Sequence, residues 1–223
     1  MKMPFKVCGI QSTEEADLAV AAGAAALGLV AEMPSGPGPI SDDKIREIAG
    51  HVLKKHGYEV WRVLLTSRID AEAIADHIAM TGVNTVQLVD VPAVGAHERL
   101  RKVFPHIRLI QVIHVEDERA IDEAVAAAHT ADAILLDSGK PNARHRTLGG
   151  TGNTHDWSIS RKIVATIEKP VFLAGGLKPD NAVAAIKEVS PYGLDICSGL
   201  RDTNNDYRLV PAKLNAFAKA LAN

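Results

Sequence analysis

The stretch KPVFLAGGLKPDNAVAAIKEVSPYGLDICSGL, residues 169–200, decides the fold. It opens on a short apolar run, Val171–Ala174, and breaks at Gly175-Gly176. It continues as an Ala-rich amphipathic segment over Pro179–Glu188 and returns to a second apolar run at Gly193–Ser198. Short apolar runs bounded by turn residues read as fully buried strands, and the segment between these two is long enough for a crossover helix. The stretch is therefore a parallel βαβ unit, with one glycine pair after its first strand and Ser198-Gly199 closing its second.

The same alternation extends outward to both ends of the chain. Six more strands are expected at Phe5–Cys8, Ala26–Val30, Glu59–Leu65, Thr85–Val89, Ile107–Ile113 and Ala133–Asp137. The other helices are expected at Thr13–Ala22, Asp42–His51, Ala71–Thr81, Pro92–Phe104, Asp117–His129, Trp157–Glu168 and Pro211–Leu221. Ser12 or Thr13, Ser41 and Asp70 each place a capping oxygen just ahead of acidic residues at a helix start. Eight such pairs without a linker predict an α/β fold, a single (βα)8 TIM barrel spanning residues 1–223.

Composition agrees and excludes other classes. Of 223 residues, 47% are apolar and only 4% aromatic, so Ala, Val, Ile and Leu must fill the interior. Lys and Arg number 25 against 27 Asp and Glu, a net charge of −2, which argues against a nucleic-acid partner. Two cysteines, Cys8 and Cys197, cannot frame a disulfide scaffold at this length and point to the cytoplasm. The N-terminus lacks the apolar run of a signal peptide, and no uncharged stretch is long enough to span a membrane.

In a barrel of this kind, polar residues at strand C-termini converge on one pocket. Cys8 closes the first strand and Asp137 the sixth, on opposite sides of a mouth one small sugar wide, where a thiolate and a carboxylic acid can move protons on two faces of a substrate. On residue type alone Cys8 also suits a small buried apolar role, and Asp137 a structural ion pair. Cys197, ending the eighth strand, reads as packing, with redox pairing to Cys8 as the alternative. Gly175, Gly176, Ser198 and Gly199 occupy the two loops where barrels frequently bind phosphate, although each glycine pair also suits a tight turn. Two irregular loops stand out on the catalytic face as candidates to close over substrate: Ala31–Ile40 after the second strand and Gly139–Asp156 after the sixth. His114, at the end of the fifth strand, can face the pocket or serve structure alone.

These residues together resemble a known family. Lys6-Val7-Cys8-Gly9-Ile10, Val86-Gln87-Leu88, Leu136-Asp137-Ser138, Gly149-Gly150-Thr151-Gly152 leading to Asp156-Trp157, Leu173-Ala174-Gly175-Gly176-Leu177, and Asp195-Ile196-Cys197-Ser198-Gly199 run in the order found in phosphoribosylanthranilate isomerases of tryptophan biosynthesis. The resemblance implies a (βα)8 barrel that performs an Amadori rearrangement of a small phosphorylated sugar without metal or organic cofactor. It implies Asp137 as general acid on the ring oxygen, Cys8 as the base at C2, Asp195 in support, and the backbone of Gly175, Gly176, Ser198 and Gly199 around the phosphate.

The sequence departs from the family after the second strand, where an Arg usually meets the anthranilate carboxylate and Gly38 stands here. Arg68, Arg144 and Arg146 are the replacement candidates; the Arg144-His145-Arg146 cluster also reads as a solvated loop. The alternatives are a divergent isomerase of another phosphorylated aldose derivative, or a sugar-phosphate-binding barrel without turnover. A ribulose-phosphate-epimerase-like barrel would need a set of metal ligands at its strand ends, which the sequence does not offer.

Overall fold

Runs of Val, Ile and Leu too apolar to face water on either side pair as parallel strands and are covered by amphipathic helices. The computed structural model describes residues 3–34, 38–138, 156–202 and 204–222. The elements follow as β1 (Phe5–Val7), α1 (Thr13–Ala21), β2 (Ala26–Val30), α2 (Asp42–His56), β3 (Trp61–Thr66), α3 (Ala71–Thr81), β4 (Thr85–Leu88) and α4 (Ala96–Val103). The second half contains β5 (Arg108–His114), α5 (Arg119–Ala128), β6 (Ala133–Asp137), α6 (Trp157–Thr166), β7 (Val171–Leu173), α7 (Ala182–Val189), β8 (Gly193–Ile196) and α8 (Pro211–Ala220). Strands β1 to β8 close in sequence order into a parallel barrel, with β8 returning to β1 through Lys6 opposite Asp195. The expected (βα)8 barrel is the fold.

Strand parity divides the apolar residues into two cores. One row of each strand points outward under the helices, where Val7, Leu27, Leu29, Leu64, Val86, Leu136 and Leu173 pack with Ala16, Ile45, Ile74 and Phe217. The alternate row fills the barrel with Ala26, Val30, Val63, Leu65, Ile110, Val112, Leu135 and Phe172. Near the strand starts Trp61 and Phe172 meet edge to face at 6.0 Å, Phe172 meets Tyr192 at 5.5 Å, and the Arg108 guanidinium lies 4.9 Å from the Trp61 ring. These side chains form the barrel floor.

Helix starts follow their expected caps. Ser12 Oγ accepts from Glu15 N at 3.2 Å, Ser41 Oγ from Lys44 N at 3.3 Å, and Asp70 Oδ1 from Ala73 N at 2.9 Å. Helix α2 runs through Gly50 to His56 rather than ending near His51, because Lys54, Lys55 and His56 favour its C-terminal dipole and Gly57 supplies the left-handed stop. Helix α4 begins at Ala96 rather than Pro92, since the left-handed Gly95 precedes it. A short hairpin of β9 (Arg201–Asp202) and β10 (Arg208–Leu209), which the sequence did not signal, follows the eighth strand. Among the described residues no helix is long and apolar enough to cross a membrane.

Candidate active site

The inward row that supplies apolar residues lower in the barrel supplies polar ones at its C-terminal end. Lys6 and Cys8 come from β1 and its end, Asp195 and Cys197 from β8 and its end, and Asp137 from the end of β6. Lys6 Nζ donates to Asp195 Oδ2 at 2.8 Å across the β1–β8 seam, with 1% and 8% of the two side chains exposed. Burial alone would lower the Lys6 ammonium, but the Asp195 carboxylate and the neighbouring thiols outweigh it and hold its pKa above the ordinary value. The second Asp195 oxygen, Oδ1, is buried without a partner among the described residues. An unpaired buried carboxylate oxygen is costly, so it marks capacity reserved for a ligand.

Gly28 on β2 makes room for this arrangement. A Cβ there would lie 2.9 Å from Cys8 Sγ, 3.0 Å from Cys8 Cα and 3.1 Å from Lys6 Nζ. The thiol and the ammonium therefore both press against the bare face of one glycine.

The two cysteine thiols stand at neighbouring strand ends and influence each other's ionisation. Cys8 is raised well above the ordinary thiol range, first by its interaction with the Cys197 thiol and then by burial, with Lys6 opposing. Cys197 is lowered, first by its interaction with the Cys8 thiol and then, against burial, by the Arg201 cation and by Tyr207, whose hydroxyl lies 3.7 Å from its sulfur. Cys197 packs against the inner core, as expected, and its sulfur also stands beside the Tyr207 hydroxyl.

Arg201 joins the two loops beside this pair. It is wholly buried, donates through Nη2 to the Cys8 carbonyl at 2.7 Å and through Nη1 to Glu15 Oε2 at 2.8 Å, and lies over the Tyr207 ring at 5.9 Å. Glu15 also accepts from the backbone of Gln11 and Leu209.

Across the mouth, Asp137 Oδ1 accepts from Ser138 N at 2.7 Å. Burial raises its pKa, against the lowering influence of that N–H and of His114. A raised carboxyl is what a general acid requires. His114 lies opposite Asp137 in the β5–β6 register, its Nε2 is 3.1 Å from Val89 O, and its buried Nδ1 has no partner among the described residues.

The loops after β7 and β8 meet beside the mouth. Gly175 and Gly176 both adopt left-handed backbone, and a Cβ on Gly199 would fall 2.0 Å from Leu177 O, so the two loops touch backbone to backbone. The Gly175-Gly176 turn and the Ser198-Gly199 turn thus stand in adjoining loops. Glycine-rich backbone in two adjoining loops suits a phosphate.

Comparison with known proteins agrees with this geometry. The family model described as "N-(5'phosphoribosyl)anthranilate (PRA) isomerase" matches residues 5–205. The chain belongs to the phosphoribosylanthranilate isomerase family. It is similar to N-(5'-phosphoribosyl)anthranilate isomerase 2 of Methanosarcina mazei, at 41% identity over 91% of this chain and 87% of that one. The phosphoribosyl anthranilate isomerase of Thermus thermophilus superposes with a TM-score of 0.81 at 28% identity, covering 99% of this chain and 98% of that one. Another similar structure is a phosphoribosyl anthranilate isomerase in complex with reduced 1-(o-carboxyphenylamino)-1-deoxyribulose 5-phosphate, with a TM-score of 0.76 at 27% identity over 99% and 98% of the two chains.

Within this isomerase barrel the sequence-derived candidates fall in different places. Cys8, Asp137 and Asp195 share the inward row at the mouth, and Gly175, Gly176, Ser198 and Gly199 line the two adjoining loops. Arg68 is already engaged: Nη1 donates to Ala73 O at 3.0 Å and Nη2 lies 3.8 Å from Asp42 Oδ2. Arg144 and Arg146, with most of the Gly139–Asp156 loop, lie outside the described residues. Sequence reading passed over Gly28, Arg201 and Tyr207, although Arg201 directly follows the Ser198-Gly199-Leu200 turn. A cleft of about 1020 Å³ opens beside the mouth, with Val89, Val91, Val94, Gln111 and His114 among its lining residues. It contains neither Cys8 nor Asp137.

Proposed function

We propose that this protein isomerises N-(5'-phosphoribosyl)anthranilate to 1-(2-carboxyphenylamino)-1-deoxyribulose 5-phosphate in tryptophan biosynthesis, with Asp137 as acid and Cys8 as base. The observation that carries the reading is the pairing of a burial-raised carboxyl on β6 with a thiol beside a buried ammonium on β1, both on the inward row at one end of the barrel. Asp137 gives its proton to the ring oxygen as the C1–O bond breaks, and the substrate nitrogen lone pair forms the open imine. Cys8, as thiolate, takes the C2 proton, and the electron pair moves into an enolamine that tautomerises to the aminoketose.

The cysteine pair favours the second step, because the Cys197 thiol is lowered. Once Cys197 has lost its proton, passage of the Cys8 proton to the Cys197 thiolate leaves Cys8 ionised beside Lys6. Asp195 holds Lys6 in place, and its spare Oδ1 is free to accept from a substrate hydroxyl. The loops of Gly175, Gly176, Ser198 and Gly199 seat the phosphate and so fix C1 and C2 between acid and base. Both cysteines are free, as suits a reducing compartment, and we place the reaction in the cytoplasm.

A second reading rests on the engaged state of Arg68 together with Gly38 at the family's Arg position: the amine partner differs from anthranilate. One assay separates the two. Tag-free, metal-stripped protein is expected to convert phosphoribosylanthranilate with loss of substrate fluorescence, and Cys8→Ser is expected to abolish this. Folded protein that binds ribose 5-phosphate but leaves the fluorescence unchanged would move the native substrate to another phosphorylated aldose derivative.

A further inference from the structure

The catalytic account leaves unused a cluster on the outer wall of the barrel, where α1 packs against α2. Asp17 extends from α1, and His51 and His56 from the last turns of α2. His51 Nε2 lies 2.9 Å and His56 Nε2 2.7 Å from the same oxygen, Asp17 Oδ1, and the three ligand atoms lie within 4.8 Å of one another. The two imidazole rings are inclined at 71°, so their nitrogens approach that oxygen from different directions. Lys55 Nζ takes the other carboxylate oxygen, Oδ2, at 2.8 Å.

We propose that Asp17, His51 and His56 form a binding site for a divalent transition metal, Zn²⁺ foremost, that clips α1 to α2. Two imidazole nitrogens and one carboxylate oxygen suit zinc, whereas calcium and magnesium take all-oxygen shells. Tetrahedral zinc with bonds of about 2.0–2.2 Å holds its ligands roughly 3.3–3.5 Å apart. The present contacts need to open by about 0.4–0.8 Å, as the ion replaces the proton that each imidazole shares with Oδ1.

The surroundings favour this exchange. Lys55, His56 and His51 together hold the Asp17 carboxyl well below the ordinary carboxylate range, so the ion displaces no proton from it. Lys55 is more than half exposed and can swing into water when a dication arrives, whereas the three ligands are only 19–31% exposed and stay fixed by packing. A water completes the fourth position. The last turn of α2 leads into the start of β3, at the floor end of the barrel, so the ion braces the wall without touching the catalytic mouth.

Titration of tag-free, chelator-stripped full-length protein tests the proposal, using Zn²⁺ by calorimetry and Co²⁺ by visible absorption. The expected result is one equivalent of Zn²⁺ per chain and ligand-field bands of four-coordinate Co²⁺ without a thiolate charge-transfer band, which keeps Cys8 and Cys197 out of the site. At 100-fold excess over Kd, Tm should rise by about 5–10 °C. His51→Gln and His56→Gln should each weaken binding by more than the roughly 10–100-fold that an outer partner is worth, while isomerase turnover stays at its wild-type value and reports intact folding. A lack of saturable Zn²⁺ binding, or binding that survives both His variants, would overturn the proposal and leave the cluster as a hydrogen-bonded ion network.

Discussion

At the floor of the barrel, Trp61, Phe172 and Tyr192 meet ring against ring, with Arg108 laid over Trp61. At the mouth, further along the same inward rows, stand Lys6, Cys8, His114, Asp137 and Asp195. The floor satisfies itself by packing. The mouth keeps capacity in hand, since Asp195 Oδ1 and His114 Nδ1 are buried without partners among the described residues. Each such atom costs about 1–3 kcal/mol. One strand pattern thus builds a packed floor at one end and a mouth with unpaired polar atoms at the other.

The comparison breaks first if its ends do not separate activity from stability. Cys8→Ser and Asp137→Asn should each lower kcat/KM by about 10²–10⁴-fold in steady-state assays, with phosphate-ligand affinity little changed. At the floor, Phe172→Ala should cost about 3–5 kcal/mol in urea unfolding while the folded fraction keeps its turnover. Lys6→Met sharpens the contrast, because it strands the buried Asp195 carboxylate. It should cost about 3–5 kcal/mol in the same unfolding experiment, and a Lys6→Met, Asp195→Leu double variant should recover much of that stability without recovering activity.

Smaller effects lie in the pH dependence. The base works only after the cysteine pair has lost a proton, so kcat/KM rises with pH through the first ionisation of the pair. The acid works only while Asp137 is protonated, so kcat/KM falls as pH passes its raised pKa. Cys197→Ser removes the partner that shares the anion and should move the rising limb to higher pH; an unmoved limb would return Cys197 to a packing role. The smallest effect is on stability. Because the folded Asp137 pKa lies above the unfolded value, its contribution is fully present below the unfolded pKa and is lost as pH rises through the folded one. Asp137→Asn should therefore leave Tm equal or higher near neutral pH, with the advantage vanishing in acid, by scanning calorimetry at several pH values.

Much of this organisation was legible in the residues themselves. Fully buried strands read as unbroken apolar runs, and a polar residue closing such a run, as Cys8 and Asp137 do, has only the mouth to face. The glycines after the seventh and eighth strands were legible for the same reason. Gly28 was not, because a glycine within Ala26–Val30 looks ordinary until Cys8 and Lys6 are seen against it. Arg201 escaped notice because its partner Glu15 lies 186 positions away, and only barrel closure brings them together. The β9–β10 hairpin is too short, and too charged, to show a strand period. The end of α2 was misplaced because Gly50 resembles a stop, although a helix with three basic residues still to come in its last turn continues through it.

The most direct test of the account sets both ends of the barrel in one experiment: kcat/KM for phosphoribosylanthranilate and urea-unfolding free energy, measured together for wild type, Cys8→Ser, Asp137→Asn and Phe172→Ala. The account predicts that the two mouth variants lose activity and keep stability, and that the floor variant does the reverse. Near wild-type kcat/KM in either Cys8→Ser or Asp137→Asn would contradict it.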